Sequence, residues 1–187
     1  MRTRRAAPVP AVTGGAEMPD VERDSGVERD AGPEPEALAL VHVAWDESEF
    51  VALREAQQDE LSARYGEDDI GRDMSGDGVL VAVVARLDGV AVGCGALRRA
   101  AELGPGVGEL KRMYVAPGAR RRGLGRAVLL ELELVARTQG LTRLVLETGA
   151  RQPEALGMYA AAGYRSIGRY GEYADEPGSI CLGRSLA

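Results

Sequence analysis

The chain has 187 residues, 45% hydrophobic and 28% charged, with a net charge of −6. That length and composition suit one globular domain with a real core, and no apolar run approaches the roughly 20 residues needed to span a bilayer. A single histidine, His42, and two cysteines leave no metal-ligand spacing, no Ser–His or Cys–His nucleophile pair and no disulfide framework.

Residues 1–35 combine Pro, Gly and mixed charge, with Arg2, Arg4 and Arg5 followed by no hydrophobic stretch. A secretory signal needs that stretch. The segment is expected to be a disordered tail, leaving residues 36–187 as the domain. A cytoplasmic location is expected, with Cys94 and Cys181 as buried free thiols.

Residues 37–44 read as a first strand, with His42 in a structural place between two valines. Asp46 or Ser48 can cap a helix to about Tyr65, loosely amphipathic through Phe50, Val51, Leu53 and Leu61. Gly66–Gly78 is acidic and glycine-rich, a loop suited to shaping a substrate entrance. Val79–Ala85 is an apolar strand, Asp88-Gly89 signals a two-residue hairpin, and Val90–Arg98 returns as its partner.

Gly108–Val115 is the third strand of this meander, with Glu109, Lys111 and Met113 on one face and Leu110, Arg112 and Tyr114 on the other. The helix after Gly123 carries Leu124, Ala127, Val128, Leu130, Leu134 and Val135 on its apolar face, with Arg126, Glu133 and Arg137 opposite. Glu131 falls on the apolar face, and nothing in the sequence explains it. Gly140 ends the helix. Arg143–Glu147 is the next strand, parallel to the third if the helix is a crossover. Pro153 opens a helix to about Ala162. Tyr164–Tyr170 and Ser179–Leu186 are the last strands. The fold class is α/β: a mixed, mostly antiparallel sheet flanked by helices in a single domain.

Arg120-Arg121-Arg122-Gly123-Leu124-Gly125 joins strand to helix. The first N–H groups of a helix lack internal partners and carry partial positive charge, so a phosphate suits them. The two glycines uncover those groups and let a ligand approach. From Lys111 to Arg126 there are six basic side chains and no acidic one, in an acidic chain. That contrast calls for a local anionic partner. The bland alternative is a solvated arginine turn. Nucleic acid is disfavoured, since the patch is short and no aromatic platform accompanies it. A P-loop hydrolase is disfavoured too: its Gly-Lys-Ser/Thr ending is missing, and Lys111 is the only lysine.

Three stretches in order resemble the GCN5-related N-acetyltransferase superfamily, from about Val79 to the C-terminus. Arg120-x-x-Gly123-x-Gly125 is similar to its pyrophosphate loop. Glu109–Val115 is similar to the strand that precedes it. Gln152-Pro153-Glu154-Ala155-Leu156-Gly157-Met158-Tyr159, then Gly163-Tyr164, resembles its Asn-x-x-Ala-x-x-x-Tyr and Gly-Phe/Tyr motifs, with Gln152 where Asn is common. The resemblance implies acetyl-CoA as co-substrate and no metal. The donor would be held by the backbone of Met113, Tyr114 and Val115, by the loop residues Arg120, Arg121, Arg122, Gly123, Leu124, Gly125 and Arg126, and by Gln152.

Acetyl transfer to an amine needs a base for the amine proton, a donor for the oxyanion and an acid for the departing thiolate. By resemblance, Tyr159 is the acid; its ordinary pKa of about 10 keeps it protonated. Glu109 is the first candidate base, although Lys111 on the same face would weaken it. Glu147 is the second. The Val115 N–H is the oxyanion donor by resemblance.

The acceptor would lie among Glu60–Gly78 and Tyr170–Ser179, with Arg98, Glu147, Tyr170 and Tyr173 as contacts; Arg98 could clamp a carboxylate. The Gly93–Arg98, Glu109–Val115, Leu146–Gly149 and Tyr170–Tyr173 segments resemble a bacterial subgroup of small-molecule acetyltransferases. The expected partner is a small-molecule amine, with no nucleic acid and no membrane, and the resemblance allows a homodimer. A protein lysine or N-terminal acetyltransferase and a non-catalytic acyl-CoA-binding module stay open.

Overall fold

The structure is a computed structural model that describes residues 37–66 and 75–186. The expected N-terminal tail and much of the acidic loop after the first helix lie outside the described residues. Among the described residues, seven strands and three α-helices follow in order: β1 (Leu38–Val43), α1 (Ser48–Tyr65), β2 (Val79–Leu87), β3 (Val90–Arg99), β4 (Val107–Val115), α2 (Leu124–Thr138), β5 (Arg143–Gly149), α3 (Pro153–Ala161), β6 (Arg165–Ser166) and β7 (Ser179–Ser185). They build one sheet in the order β1-β2-β3-β4-β5-β7-β6. Every pair is antiparallel except β4 and β5, which α2 joins as a crossover.

Local chemistry sets the turns. Asp88 and Gly89 both take positive φ, +50° and +82°, as a type I′ hairpin demands. The α1 cap is neither Asp46 nor Ser48: the Glu47 carboxylate accepts from the N–H groups of Glu49 and Phe50. The segment 164–170 forms only the two-residue strand β6, because the chain leaves the sheet towards Tyr170.

One face of the sheet packs on α2 and α3 through Val83, Leu97, Leu110, Val128, Leu129, Leu132 and Tyr159. The other packs on α1 through Phe50, Leu53, Ala82, Val84 and Cys94. Both cysteines are free and buried, and burial pushes the Cys94 thiol up to about 12.

The apolar face of α2 differs from expectation. Leu129 and Leu132 are buried, while Leu130 and Leu134 are exposed. Glu133 is buried rather than facing solvent, because Arg184 reaches it from β7 at 2.7 Å and the Tyr164 hydroxyl donates to it at 3.2 Å. Glu131 also finds a partner, with His42 Nε2 on β1 2.7 Å away.

Candidate active site

The parallel ladder of β4 and β5 runs only from Val107↔Arg143 to Leu110↔Leu146. Past that point Lys111–Val115 and Glu147–Gly149 part, and a cleft of about 1010 Å³ opens, lined by both strands, α1, α3 and the Tyr170–Tyr173 turn.

A bulge bends β4 at this point. Arg112 takes a left-handed φ of +57°, and β4 spends one residue more than β3 between the pairs Ala96↔Lys111 and Cys94↔Tyr114. Strict alternation fails there. Met113 does not share a face with Glu109 and Lys111; it turns with Leu110 towards α2. Tyr114 packs with the cluster under α1.

Beyond the bulge, Ala116 N–H bonds the Val92 carbonyl, and Tyr114 stands opposite Cys94. Met113 and Val115 therefore present their N–H and C=O groups to the side away from β3. The Met113 carbonyl accepts from Gln57 Nε2 at 3.0 Å, and the Val115 carbonyl from Arg120 Nε at 2.8 Å. Met113 lines the cleft, so its N–H faces the opening.

Glu109 is wholly buried, and both its oxygens are engaged. Arg98 Nε donates to Oε2 at 2.6 Å, the Tyr170 hydroxyl donates to Oε1 at 3.0 Å, and Lys111 Nζ lies 3.2 Å from Oε1. This is the environment of a neutralised anchor, unlike that of a base that must collect a proton. Arg98 also grips Glu102 at 2.6 Å, so the carboxylates it clamps belong to the chain itself. Lys111 Nζ donates to the Tyr173 hydroxyl and lies 4.9 Å above its ring. Tyr170 and Tyr173 meet edge to face at 5.7 Å along one wall. Burial, then the Glu109 carboxylate, hold both phenols above their ordinary pKa.

Tyr159 stands on α3 at the opposite wall. It is 4% exposed and rests edge-on against Tyr164 at 5.7 Å. Burial raises its pKa well above the usual phenol range, and the Glu147 carboxylate adds to the shift. The phenol is therefore protonated at any physiological pH. Glu147 lines the same cleft from the end of β5, partly exposed, and Gln152 lines it just before α3.

The basic loop divides its labour. Gly123 is the N-cap of α2 at φ +79°, with no side chain capping the helix, and a Cβ there would meet nothing. The first amides of α2 thus have the exposure and polarity that a phosphate needs. Gly125 serves packing: a Cβ would come 3.0 Å from Met158 Sδ. Arg121, Arg122 and Arg126 are exposed. Arg120 turns inward to the Val115 carbonyl and the Glu60 carboxylate. Arg64 continues the strap, 3.1 Å from Glu60 and 2.6 Å from Glu154.

The sequence did not point to Gln57, Gln58 and Tyr65, which line the cleft from α1. No motif marks them; only the packing of α1 across the mouth of the β4–β5 opening brings them there.

The sheet splits at the β4–β5 step, with a helix start that no side chain caps after β4 and a buried phenol across the gap, as the resemblance to the acetyltransferase superfamily implies. The profile of the acetyltransferase (GNAT) family matches residues 38–164, and the chain belongs to that family. It is 40% identical to the IAA acetyltransferase of Azospirillum brasilense over 104 residues, 56% of this chain and 67% of the relative. A Klebsiella pneumoniae structure described as an acyl-CoA N-acyltransferase superposes with a TM-score of 0.68 at 30% identity, over 80% of this chain and 98% of that one. The PaiA N-acetyltransferase of Thermoplasma acidophilum, solved with coenzyme A, shares the fold at a TM-score of 0.61 and 16% identity, over 80% of this chain and 99% of its own.

Proposed function

We propose that this acetyltransferase takes its acetyl group from acetyl-CoA and passes it to the amine of a small molecule by direct attack, with no covalent enzyme intermediate. The observation that carries the reading is the termination of the β4–β5 ladder at Leu110↔Leu146, which brings the outward amide of Met113 and the Tyr159 side chain to one cleft. The description of the 30% identical Klebsiella structure supports N-acylation.

In this reading the α2 amides from Gly123 onward hold the pyrophosphate, with Arg121, Arg122 and Arg126 adding screened attraction. The Met113 and Val115 N–H groups hold the extended arm and the thioester carbonyl, and the Val115 N–H stabilises the oxygen as charge develops. Tyr159 gives its proton to the departing thiolate. Glu147, directly or through water, takes the amine proton, because Glu109 is committed to Arg98, Lys111 and Tyr170. Tyr170 and Tyr173 form the wall against which the acceptor lies. The protein would work in the cytoplasm, through the domain of residues 36–187.

Calorimetric titration with acetyl-CoA, followed by a thiol-release screen across amines, amino acids and peptides, tests this. Absence of acetyl-CoA binding would refute the donor. Release with a protein lysine, and with no small amine, would refute the acceptor class.

A further inference from the structure

Two neighbouring glutamines on α1 are each half-satisfied, in complementary ways. Gln57 Nε2 donates to the Met113 carbonyl at 3.0 Å, and Gln58 Oε1 accepts from Arg112 Nη1 at 2.8 Å. These bonds fix which end of each amide is which, since a flip would set like against like. The other ends, Gln57 Oε1 and Gln58 Nε2, are shut off from solvent and have no hydrogen-bond partner among the described residues. Buried polar atoms without partners are costly and rare. Here one acceptor and one donor are left over on adjacent residues that both line the cleft, tied to β4 at the bulge and at the residue whose N–H faces the opening.

We propose that Gln57 and Gln58 recognise a secondary amide of the bound ligand, Gln57 Oε1 receiving its N–H and Gln58 Nε2 donating to its C=O. An ammonium offers only donors and a carboxylate only acceptors, so neither satisfies both ends. A secondary amide offers one of each, and an extended chain laid along the outward edge of β4 carries such groups past α1. The amide has two sources: the pantetheine arm of the acyl donor, or an amide-bearing acceptor. The inference rests on the donor reading above.

The test compares wild type with Gln57→Leu and Gln58→Leu. Affinities are measured calorimetrically for coenzyme A and for adenosine 3′-phosphate 5′-diphosphate, which keeps the phosphates but has no amide. KM is measured for an amide-bearing amine and for a plain alkylamine. If the amide belongs to the donor, each variant weakens coenzyme A by about threefold to tenfold and leaves the nucleotide fragment unchanged. If it belongs to the acceptor, coenzyme A is unchanged and KM rises by the same factor for the amide-bearing amine alone. Equal behaviour of variants and wild type towards all four ligands overturns the proposal. So does a parallel loss for both nucleotides, which would mark a structural role. If wild type binds no coenzyme A, the functional reading falls and takes this inference with it; wild-type binding with unaltered variants sinks the amide assignment alone.

Discussion

Arg98 and Glu109 stand opposite each other on β3 and β4, with Arg98 Nε 2.6 Å from Glu109 Oε2 and the carboxylate wholly buried. Lys111 and Tyr170 complete its coordination. Removing one member of a buried pair strands the other charge, and about 3–5 kcal/mol is expected to be lost in Glu109→Ala. A lower denaturant midpoint with an unchanged m value would show it. If Glu109→Gln keeps its stability but loses a titrating limb from the kcat profile, the anchor is a base after all.

Tyr159 makes the opposite prediction. Replacing it with Phe keeps the ring contact with Tyr164 and deletes only the proton donor. Turnover should fall by about a hundredfold or more, with the calorimetric affinity for acetyl-CoA unchanged. Equal turnover in the two proteins would remove Tyr159 from the chemistry.

The two glycines of the loop should respond differently. Gly123 has room for a Cβ but a φ of +79°, so Gly123→Ala is expected to cost about 1–2 kcal/mol through backbone strain and to weaken acetyl-CoA as the first amides of α2 shift. At Gly125 the added methyl meets the flexible end of Met158 at 3.0 Å and Val115 Cγ2 at an ordinary 3.7 Å, and a smaller loss is expected in both readouts. Thermal melting with and without acetyl-CoA separates the two effects; an identical ligand-induced shift in Gly123→Ala and wild type would contradict the phosphate assignment.

Alkali gives a fourth test. Burial first, then nearby carboxylates, hold Tyr159, Tyr164, Tyr170 and Tyr173 above the ordinary phenol pKa. A phenol whose pKa is higher folded than unfolded favours the fold while the unfolded chain's phenol is neutral. That contribution is whole below about pH 10 and is lost as pH climbs towards the folded values. Phenolate absorbance from these side chains should therefore appear together with loss of secondary structure. Their ionisation in a protein still folded would show that the walls of the cleft are wetter than the structure has them.

Local signals foretold most of the frame. Asp88-Gly89 names its own turn, and the path from β4 through the glycine loop to α2 follows from residue types alone. What the sequence concealed is carried by distant partners. Leucines at 129, 130, 132 and 134 leave the phase of α2 ambiguous, and Glu133 argues for the wrong side until Arg184 arrives to neutralise it. Arg120 looks like a phosphate ligand until Glu60 is seen across from it. The bulge has no signature, because Arg112 adopts a backbone conformation that its side chain does not advertise.

That extra residue decides whether the sheet has a mouth. Excising Arg112 would return β4 to a regular two-residue rhythm while leaving Glu109, Leu110, Lys111, Met113 and Tyr114 on the sides they now occupy. The shortened strand would lose its bend and could zip onward against β5, giving a sounder sheet with no mouth. One residue at this place is thus what keeps the two strands apart and the cleft open.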